Sequence, residues 1–293
     1  MSTERVRAAF DRAAAKGRAA SKGRAASKGR AAFVAYLTAG YPDAERSLAA
    51  ARTLARHADL IELGLPFSDP LGDGPTIQRA SEVALAAGAS TRTTLAMVRE
   101  LRRSTRVPIA VMTYYNPVYA YRGPAGSGEA AFVRDAAEAG VDALILPDLP
   151  PDEGASLIEA AREADVATVF LVAPTSTDAR IRLVTAACTG FVYAVSVTGV
   201  TGARDGVSDE VAGLVRRARE AGGLPVAVGF GVASPQTAAR VGQVADGVVV
   251  GSALVELVGR MADAGDVAAL DAFAGALAAA LRSAGSDVNR REA

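Results

Sequence analysis

Short apolar segments alternate with longer amphipathic segments along the chain from Phe33 onward. The apolar segments are rich in β-branched residues, and the segments between them are rich in Ala, Arg and Glu. Because the short segments are continuously apolar, they predict strands that are covered on both faces, as in a parallel sheet. Eight segments follow this pattern: Phe33–Leu37, Leu60–Leu63, Pro108–Thr113, Ala143–Leu146, Ala167–Val172, Phe191–Val195, Pro225–Val228 and Gly247–Val250.

The amphipathic segments contain residues that are typical of helix N-termini. Hydroxyl side chains that accept a hydrogen bond from a free helical N–H predict N-caps, and prolines suit the first helical position. The predicted N-caps are Thr76, Ser176, Ser208 and Ser234, and the predicted first residues are Pro42 and Pro235. Eight strand–helix units without a large break in composition predict an α/β protein with a closed (β/α)8 fold, a TIM barrel.

A doubly wound open sheet is the alternative architecture. That fold usually places a glycine-rich dinucleotide fingerprint after its first strand, but here the first strand runs into Thr38-Ala39-Gly40-Tyr41-Pro42. The motif Gly229-Phe230-Gly231 comes late in the chain and lacks the third glycine, and the sequence contains no P-loop motif. The barrel is therefore favoured.

The N-terminal 32 residues differ from the rest. Thr3 to Ala15 has helical composition and predicts a helix that covers the barrel. The hexad Ser-Lys-Gly-Arg-Ala-Ala then occurs at 21–26 and again at 27–32, after a near copy that starts at Ala15. A nucleic-acid-binding arm and an organellar transit peptide are alternatives, since six basic residues and no acidic one lie between Lys16 and Arg30. A duplication that lengthened a solvated loop is favoured, because such low-complexity segments bury too little surface to order themselves.

We accordingly divide the chain into residues 1–32, a catalytic barrel at 33–285 and a tail at 286–293. The formal net charge is zero, which gives no general attraction to nucleic acid or to a membrane surface. The sequence has neither an apolar run long enough to span a bilayer nor the hydrophobic segment of a secretory signal, and its single cysteine fits the reducing cytoplasm.

One cysteine, Cys188, and one histidine, His57, limit the chemistry that is available. They exclude a structural zinc site, and they leave acid–base work to carboxylates, tyrosines or lysines. Cys188 is interpreted as a packed residue near a helix end. His57 ends a helical run from Ser47 and is interpreted as structural or solvated.

Glycine-rich turns follow the last three predicted strands. In barrels, the loops after the seventh and eighth strands often bind phosphate through backbone N–H groups and the start of a short helix. The turns here are Thr198–Gly202, Gly229–Ser234 and Gly251-Ser252. Together they predict a phosphate site.

Two carboxylates stand near the end of the second strand. Glu62 lies inside an apolar strand end, where a charged side chain is costly unless it is used or paired. Asp73 lies between two glycines in the rigid Pro- and Gly-rich segment Pro66–Thr76. Pairing of Glu62 with a Lys or Arg, and Asx-turn caps at Asp69 and Asp73, are the structural alternatives. The position of Glu62 favours a functional part.

The segment Glu62-Leu-Gly-Leu-Pro-Phe-Ser-Asp-Pro-Leu-Gly-Asp-Gly-Pro-Thr-Ile-Gln resembles the signature of the tryptophan synthase alpha chain family. The likeness continues in Tyr193-Ala-Val-Ser-Val-Thr-Gly-Val-Thr-Gly202, in Gly229-Phe-Gly-Val and in Gly251-Ser-Ala. The resemblance implies cleavage of indole-3-glycerol phosphate to indole and glyceraldehyde 3-phosphate, with no metal and no organic cofactor in this chain.

The resemblance also implies a part for each site residue. Glu62 is expected to protonate the indole ring, Asp73 to accept a hydrogen bond from the indole N–H, and Tyr193 to orient Glu62. The expected phosphate ligands are Thr201, Gly202, Gly229, Gly231, Gly251 and Ser252. The expected indole pocket consists of Tyr36, Ile77, Met112, Tyr114, Ile145 and Phe230.

The resemblance further implies a partner, the pyridoxal-phosphate-containing beta subunit, in an alpha2-beta2 tetramer. The loop with Asp69 and Pro70 is expected to transmit signals to it, and Val197 to Asp209 to form a mobile lid. Three other functions remain as alternatives: a phosphosugar isomerase, a regulatory subunit without catalysis, and a freestanding lyase that releases indole. The strand-two signature counts against the first, and retention of Glu62, Asp73 and Tyr193 counts against the second.

Overall fold

The computed structural model describes residues 2–20, 29–195, 208–229 and 231–287, without the side chains of 16–20 and 285–287. The strands are β1 Ala32–Thr38, β2 Leu60–Gly64, β3 Ile109–Met112, β4 Arg122–Gly123, β5 Gly126–Ser127, β6 Ala143–Ile145, β7 Ala167–Val169, β8 Leu171–Val172, β9 Val192–Val195, β10 Val226–Gly229 and β11 Gly247–Val250. The helices are α1 Ser2–Ala20, α2 Ala44–Leu54, α3 Pro75–Ala86, α4 Thr91–Arg102, α5 Tyr115–Tyr119, α6 Glu129–Ala139, α7 Ala155–Glu163, α8 Asp178–Ala187, α9 Asp209–Gly222, α10 Pro235–Val244, α11 Ser252–Arg260 and α12 Ala268–Asp287.

The parallel sheet closes on itself. Its order is β7-β6-β3-β2-β1-β11-β10-β9-β8, so its two ends, β7 and β8, are pieces of one chain segment separated only by Phe170. The predicted barrel and its eight strands are thereby confirmed, with the fifth strand interrupted. At the interruption, the N–H of Phe170 donates to Sγ of Cys188 at 3.3 Å. Burial raises the pKa of the Cys188 thiol to about 12, which fits the packed residue that the sequence predicts.

Polar side chains one to three residues before the even-numbered barrel strands tie each of these strands to its predecessor. In each case a backbone N–H of the preceding strand segment donates to the side chain: Phe33 to Asp59 at 2.8 Å, Ile109 to Asp142 at 2.8 Å, Thr168 to Thr189 at 2.9 Å and Val226 to Asp246 at 3.0 Å. The three aspartates also form ion pairs with arginines. The amino-terminal end of the barrel is thus devoted to stability, as is usual in this fold.

Helix α1 covers that same end of the barrel. Its residues Val6, Phe10 and Ala13 are buried, and the Phe10 ring lies 5.2 Å from the ring of Phe191. Gly247 leaves room for Phe10, because a Cβ at Gly247 would lie 2.7 Å from the Phe10 ring. The predicted covering helix is confirmed, and it continues beyond Ala15 into the first copy of the repeat.

The last copy of the repeat is anchored at its end, in contrast to the predicted solvated loop. The guanidinium of Arg30 donates to both carboxylate oxygens of Asp59, at 2.6 and 2.7 Å, and Ala32 begins β1. Gly29 lies so close to Ala14 that an added Cβ would be 1.8 Å from the Ala14 carbonyl oxygen. The middle of the repeat, residues 21–28, lies outside the described residues.

Deletion of residues 19–30 is expected to leave cleavage activity within a few-fold of the parent chain. The deletion joins Arg18 to Ala31, so the same Arg-Ala-Ala sequence precedes Phe33 and Arg18 replaces Arg30 at Asp59. The measurement is the cleavage rate together with the free energy of unfolding. As a control, the deletion combined with Arg18→Ala should lose about 3 kcal/mol of stability, because the Asp59 carboxylate, of which only 12% is exposed, then has no ion-pair partner. Failure of the simple deletion to fold would show that residues 19–30 are structural.

Three helix starts differ from prediction. Helix α3 begins at Pro75 with Gly74 as N-cap, so Thr76 lies inside the helix. Helix α8 is capped by Thr177 and not by Ser176, whose hydroxyl instead accepts from Ala173 N–H at 3.0 Å. Helix α2 begins at Ala44, after Pro42, because the carboxylate of Asp43 caps it by accepting from Arg46 N–H at 2.9 Å.

The remaining helix predictions can be compared directly. The predicted N-caps Ser208 and Ser234, and Pro235 as a first helical residue, are confirmed. His57 lies beyond the end of α2 and contacts Asp271, with 2.7 Å between Nε2 and Oδ1. This contact with α12 agrees with the structural interpretation of His57.

Candidate active site

A cavity of about 130 Å³ opens at the carboxyl-terminal end of the barrel. In this fold that end carries the active site. The cavity is lined by residues of several strands and of the loops that follow them: Tyr36, Glu62, Asp73, Gly74, Ile77, Met112, Tyr193, Gly231, Val232, Ala233, Val249, Gly251, Ser252 and Ala253. The structure therefore brings the predicted carboxylates and most of the described phosphate ligands to one cavity.

Glu62 is fully buried at the centre of β2. Within the described part of the chain, neither of its carboxylate oxygens has a hydrogen-bond partner, and no ion pair to a Lys or Arg forms. Burial, and secondly the negative charge of Asp73, raise the pKa of Glu62 to about 8. At neutral pH this side chain is therefore a carboxylic acid that can donate a proton into the cavity.

Asp73 enters the same cavity from the loop before α3. Its backbone N–H donates to the carbonyl of Pro70 at 3.0 Å, and its side chain lies beside Tyr114 in a small space that both residues line. Burial raises the pKa of Asp73 to about 6, while the hydroxyl of Tyr114 opposes that rise. Asp73 is thus mainly ionised at pH 7. The cavity holds one neutral acid and one anion, which is the pairing that separates a proton donor from a charge stabiliser.

Two tyrosine side chains of the cavity lining, Tyr36 and Tyr193, each pack directly against a glycine. A Cβ at Gly229 would lie 2.3 Å from the Tyr193 hydroxyl, and a Cβ at Gly64 would lie 2.1 Å from the Tyr36 hydroxyl. Gly229 therefore makes room for a ring and does not itself line the cavity. Burial, followed by the charge of Glu62, raises the pKa of Tyr193 well above its usual value, so this phenol stays protonated. Among the described residues, no hydrogen bond joins Tyr193 to Glu62.

The opposite wall of the cavity is built from backbone. Gly231 has a φ of +75°, a conformation that favours glycine, and Val232 and Ala233 follow it. Gly251 is the N-cap of α11, and Ser252 and Ala253 form its first turn. The first N–H groups of a helix have no partner within the helix and attract anions. Thr201, Gly202 and the predicted lid between 197 and 207 lie outside the described residues.

The predicted indole pocket is partly assembled in this cavity. Tyr36, Ile77 and Met112 line it, whereas Ile145 is fully buried in the apolar cluster inside the barrel. Tyr114 lines a small neighbouring space of about 10 Å³, which Tyr36, Asp73 and Met112 also line. Phe230 lies outside the described residues.

Sequence reasoning missed several lining residues. Gly74 and Ala253 directly follow the predicted residues Asp73 and Ser252, and Val232 and Ala233 lie within the predicted turn Gly229–Ser234 without having been named as ligands. Val249 is the inward-facing residue of β11 and pairs in register with Val34. Val249 could be identified only from the alternation of inward- and outward-facing residues along the strand, and a continuously apolar segment does not show that alternation.

Neither a metal site nor a membrane span is present in the described ranges. No group of three or more His, Cys, Asp or Glu side chains converges there in a way that could hold a metal ion. None of the helices described is both long enough and apolar enough to cross a bilayer.

Comparison with known proteins agrees with the site geometry. The sequence profile of the family described as tryptophan synthase alpha chain matches residues 23–282. The tryptophan synthase alpha chain of Deinococcus radiodurans is 54% identical over 266 residues, which is 90% of this chain and 92% of that protein. The protein of the same name from Phenylobacterium zucineum is 47% identical over 265 residues, 90% of this chain and 89% of that protein.

Solved structures show the same likeness. A chain of Mycobacterium tuberculosis tryptophan synthase superposes with a TM-score of 0.81 at 42% identity and covers 94% of this chain and 98% of its own. A mutant tryptophan synthase alpha-subunit from Pyrococcus furiosus gives a TM-score of 0.76 at 37% identity, with 85% and 98% covered. The fold and the whole barrel are shared with these proteins.

Proposed function

Because the chain belongs to the tryptophan synthase alpha chain family, it cleaves indole-3-glycerol phosphate to indole and glyceraldehyde 3-phosphate, and we propose that Glu62 and Asp73 carry the chemistry. The reaction is a carbon–carbon lyase step of tryptophan biosynthesis. One observation carries the residue assignment: a buried, unpaired carboxylic acid and a second, ionised carboxylate face the same cavity, whose far wall is the start of a helix.

The proposed reaction begins with a proton transfer from Glu62. The carboxylic acid protonates the ring carbon that bears the glycerol phosphate chain, and positive charge develops at the ring nitrogen. The Asp73 carboxylate accepts a hydrogen bond from that N–H and stabilises the charge. Glu62, now ionised, takes the proton of the adjacent hydroxyl group. The carbon–carbon bond breaks, its electrons return to the ring, and the alcohol carbon becomes the aldehyde of glyceraldehyde 3-phosphate.

The phosphate would bind at the wall opposite the carboxylates. We assign it to Gly231, Gly251 and Ser252, supported by the free N–H groups of α11, with Thr201 and Gly202 added by resemblance. For Gly229 the structure supports a different part, that of leaving space for Tyr193. Tyr193 would help to orient Glu62 once substrate fills the cavity.

The indole ring would lie between the carboxylates and the apolar residues of the barrel mouth. Tyr36, Ile77 and Met112 would contact it directly, and Ile145 would support it from below. Phe230 would cover it by resemblance. Residues 33–285 would form the catalytic domain, with no cofactor bound in this chain.

A beta subunit is the partner that the family relation indicates, and we propose an alpha2-beta2 tetramer in the cytoplasm with pyridoxal phosphate in the partner. Two large apolar side chains are exposed on the carboxyl-terminal face: Leu71 at 93% and Tyr119 at 67%. Both follow the ends of barrel strands, so they lie on the same side as the cavity. Exposed apolar side chains of this size favour a protein interface there. The loop with Asp69 and Pro70 would then contact the partner.

The test is release of indole from indole-3-glycerol phosphate by this chain, with and without its beta subunit. We expect slow release alone and an increase of more than about tenfold on addition of the partner, because closure of the loops completes the site. Fast release without any response to the beta subunit would identify a freestanding lyase. Absence of cleavage under both conditions would identify a regulatory subunit.

A further inference from the structure

In the part of the chain that the structure describes, the side chain of Tyr114 ties the loop that carries Asp73 to the barrel. The loop residues Ser68, Asp69, Leu71 and Gly72 are exposed, and the bonds within the loop are local. Tyr114 stands at the end of β3 with only 6% of its surface exposed. Its hydroxyl oxygen accepts the N–H of Gly72 at 2.9 Å, and the same hydroxyl lowers the pKa of the neighbouring Asp73 carboxyl.

The backbone around Tyr114 is fixed on both sides. The N–H of Thr113 donates to the carbonyl of Ile145 at 3.0 Å, and the Thr113 hydroxyl donates to the carbonyl of Tyr114 at 3.0 Å. The next N–H, that of Tyr115, donates to the Asp148 carboxylate at 2.9 Å. Tyr114 is therefore a rigid support that reaches from the barrel to the loop.

The local packing also places the Tyr114 hydroxyl. The Tyr114 ring lies 5.4 Å from the ring of Phe67, at the start of the same loop. A Cβ at Gly72 would lie 3.2 Å from the Tyr114 hydroxyl, so glycine is the residue that lets this hydroxyl reach the backbone. Tyr114 lies directly beside the main cavity, in a small space that it shares with Tyr36, Asp73 and Met112 of the cavity lining.

We propose that Tyr114 is a positioning residue, which anchors the loop at Gly72 and so holds the adjacent Asp73 carboxylate, as an anion, at the edge of the cavity. This inference rests on the proposed part of Asp73. A phenol that donates to a carboxylate stabilises the ionised form, and a phenol oxygen that also accepts a backbone N–H is itself oriented.

The other ionisable groups around Asp73 do not hold its carboxylate in place. Glu62 on β2, Tyr36 on β1 and Tyr193 on β9 each interact with the charge of Asp73 across the cavity. Burial, followed by the charge of Asp73, raises the pKa of Tyr114, and Asp148 adds to this rise, so Tyr114 remains a donor at all physiological pH values. Among these groups in the described part of the chain, only Tyr114 lowers the pKa of Asp73.

The test is Tyr114→Phe, which removes the hydroxyl and keeps the ring that packs on Phe67. In the substrate-free protein, the carboxyl carbon of 13C-labelled Asp73, assigned by comparison with Asp73→Asn, should titrate about one pH unit higher than in the parent chain. The value of kcat/KM at pH 7 should fall about tenfold. The decrease of kcat/KM towards low pH, its acidic limb, should move to higher pH by about one pH unit. The matched control is Tyr115→Phe, whose hydroxyl binds Glu129 outside the cavity and whose loss should change neither profile.

Two outcomes separate this inference from the proposed function. An unchanged Asp73 titration in a folded Tyr114→Phe protein would overturn the part assigned to Tyr114, whatever its activity. A shifted titration without any change in kcat/KM would instead show that the charge of Asp73 does not matter for cleavage. In that case the mechanism fails and the part of Tyr114 as a holder of Asp73 stands.

Discussion

Glu62→Gln is expected to lower the rate of indole-3-glycerol phosphate cleavage by about a thousandfold or more. Glutamine has nearly the same shape as glutamic acid, but it can neither give a proton to the ring carbon nor take one from the hydroxyl. The phosphate wall at Gly231 and Ser252 is untouched, so the variant should still bind glyceraldehyde 3-phosphate with nearly the parent affinity. Cleavage at a rate near that of the parent chain would overturn the mechanism.

The pH dependence gives a second measurement on the same group. Glu62 must be protonated to act as the acid, and its pKa is about 8, so the rate of the parent chain should fall as pH rises through about 8. The same group affects stability. Its pKa is above the value of 4.5 that it has in the unfolded chain, so ionisation of Glu62 disfavours the folded state increasingly between pH 4.5 and about 8. Glu62→Gln should therefore unfold at a higher temperature than the parent chain at pH 8, even though it is inactive.

Asp73→Asn is expected to lower kcat/KM by about a hundredfold, the second largest effect. Asparagine keeps the size of the side chain but removes the charge that stabilises the ring nitrogen in the transition state. In the parent chain the rate should fall as pH decreases through about 6, because Asp73 becomes protonated. This acidic limb should disappear in the variant.

The basic limb of the pH profile, where the rate falls because Glu62 ionises, should also shift in Asp73→Asn, since the charges of the two carboxylates interact. The charge of Asp73 raises the pKa of Glu62, so its removal should move the basic limb to lower pH. The matched control is Asp69→Asn, assayed on the isolated chain, because Asp69 is an exposed residue of the same loop that does not line the cavity. A loss of activity in the control equal to that of Asp73→Asn would assign the effect to loop structure and not to the carboxylate.

Local patterns along the chain determined the architecture and the two carboxylates. Continuous apolar segments of strand length, repeated with amphipathic segments between them, are a local signal, and they predicted all eight barrel strands. The segment from Glu62 to Gln78 is one contiguous motif, so its chemistry can be read without knowing where the rest of the chain lies. The same holds for the glycine turn at Gly251 and Ser252, which opens a helix.

Tertiary structure alone decided what each side chain does across the barrel. Gly229 reads as a phosphate ligand in sequence, but strand register places it beside Tyr193, where its missing side chain is what matters. Tyr114 reads as an apolar wall, but the end of β3 brings its hydroxyl to Gly72, 42 residues away in sequence. Likewise, Arg30 is part of a basic repeat in the sequence, and only the structure shows its ion pair with Asp59. Each of these contacts depends on which strands are neighbours and on their register. A hydrophobic pattern predicts which segments pack together, but it does not predict which individual atoms meet.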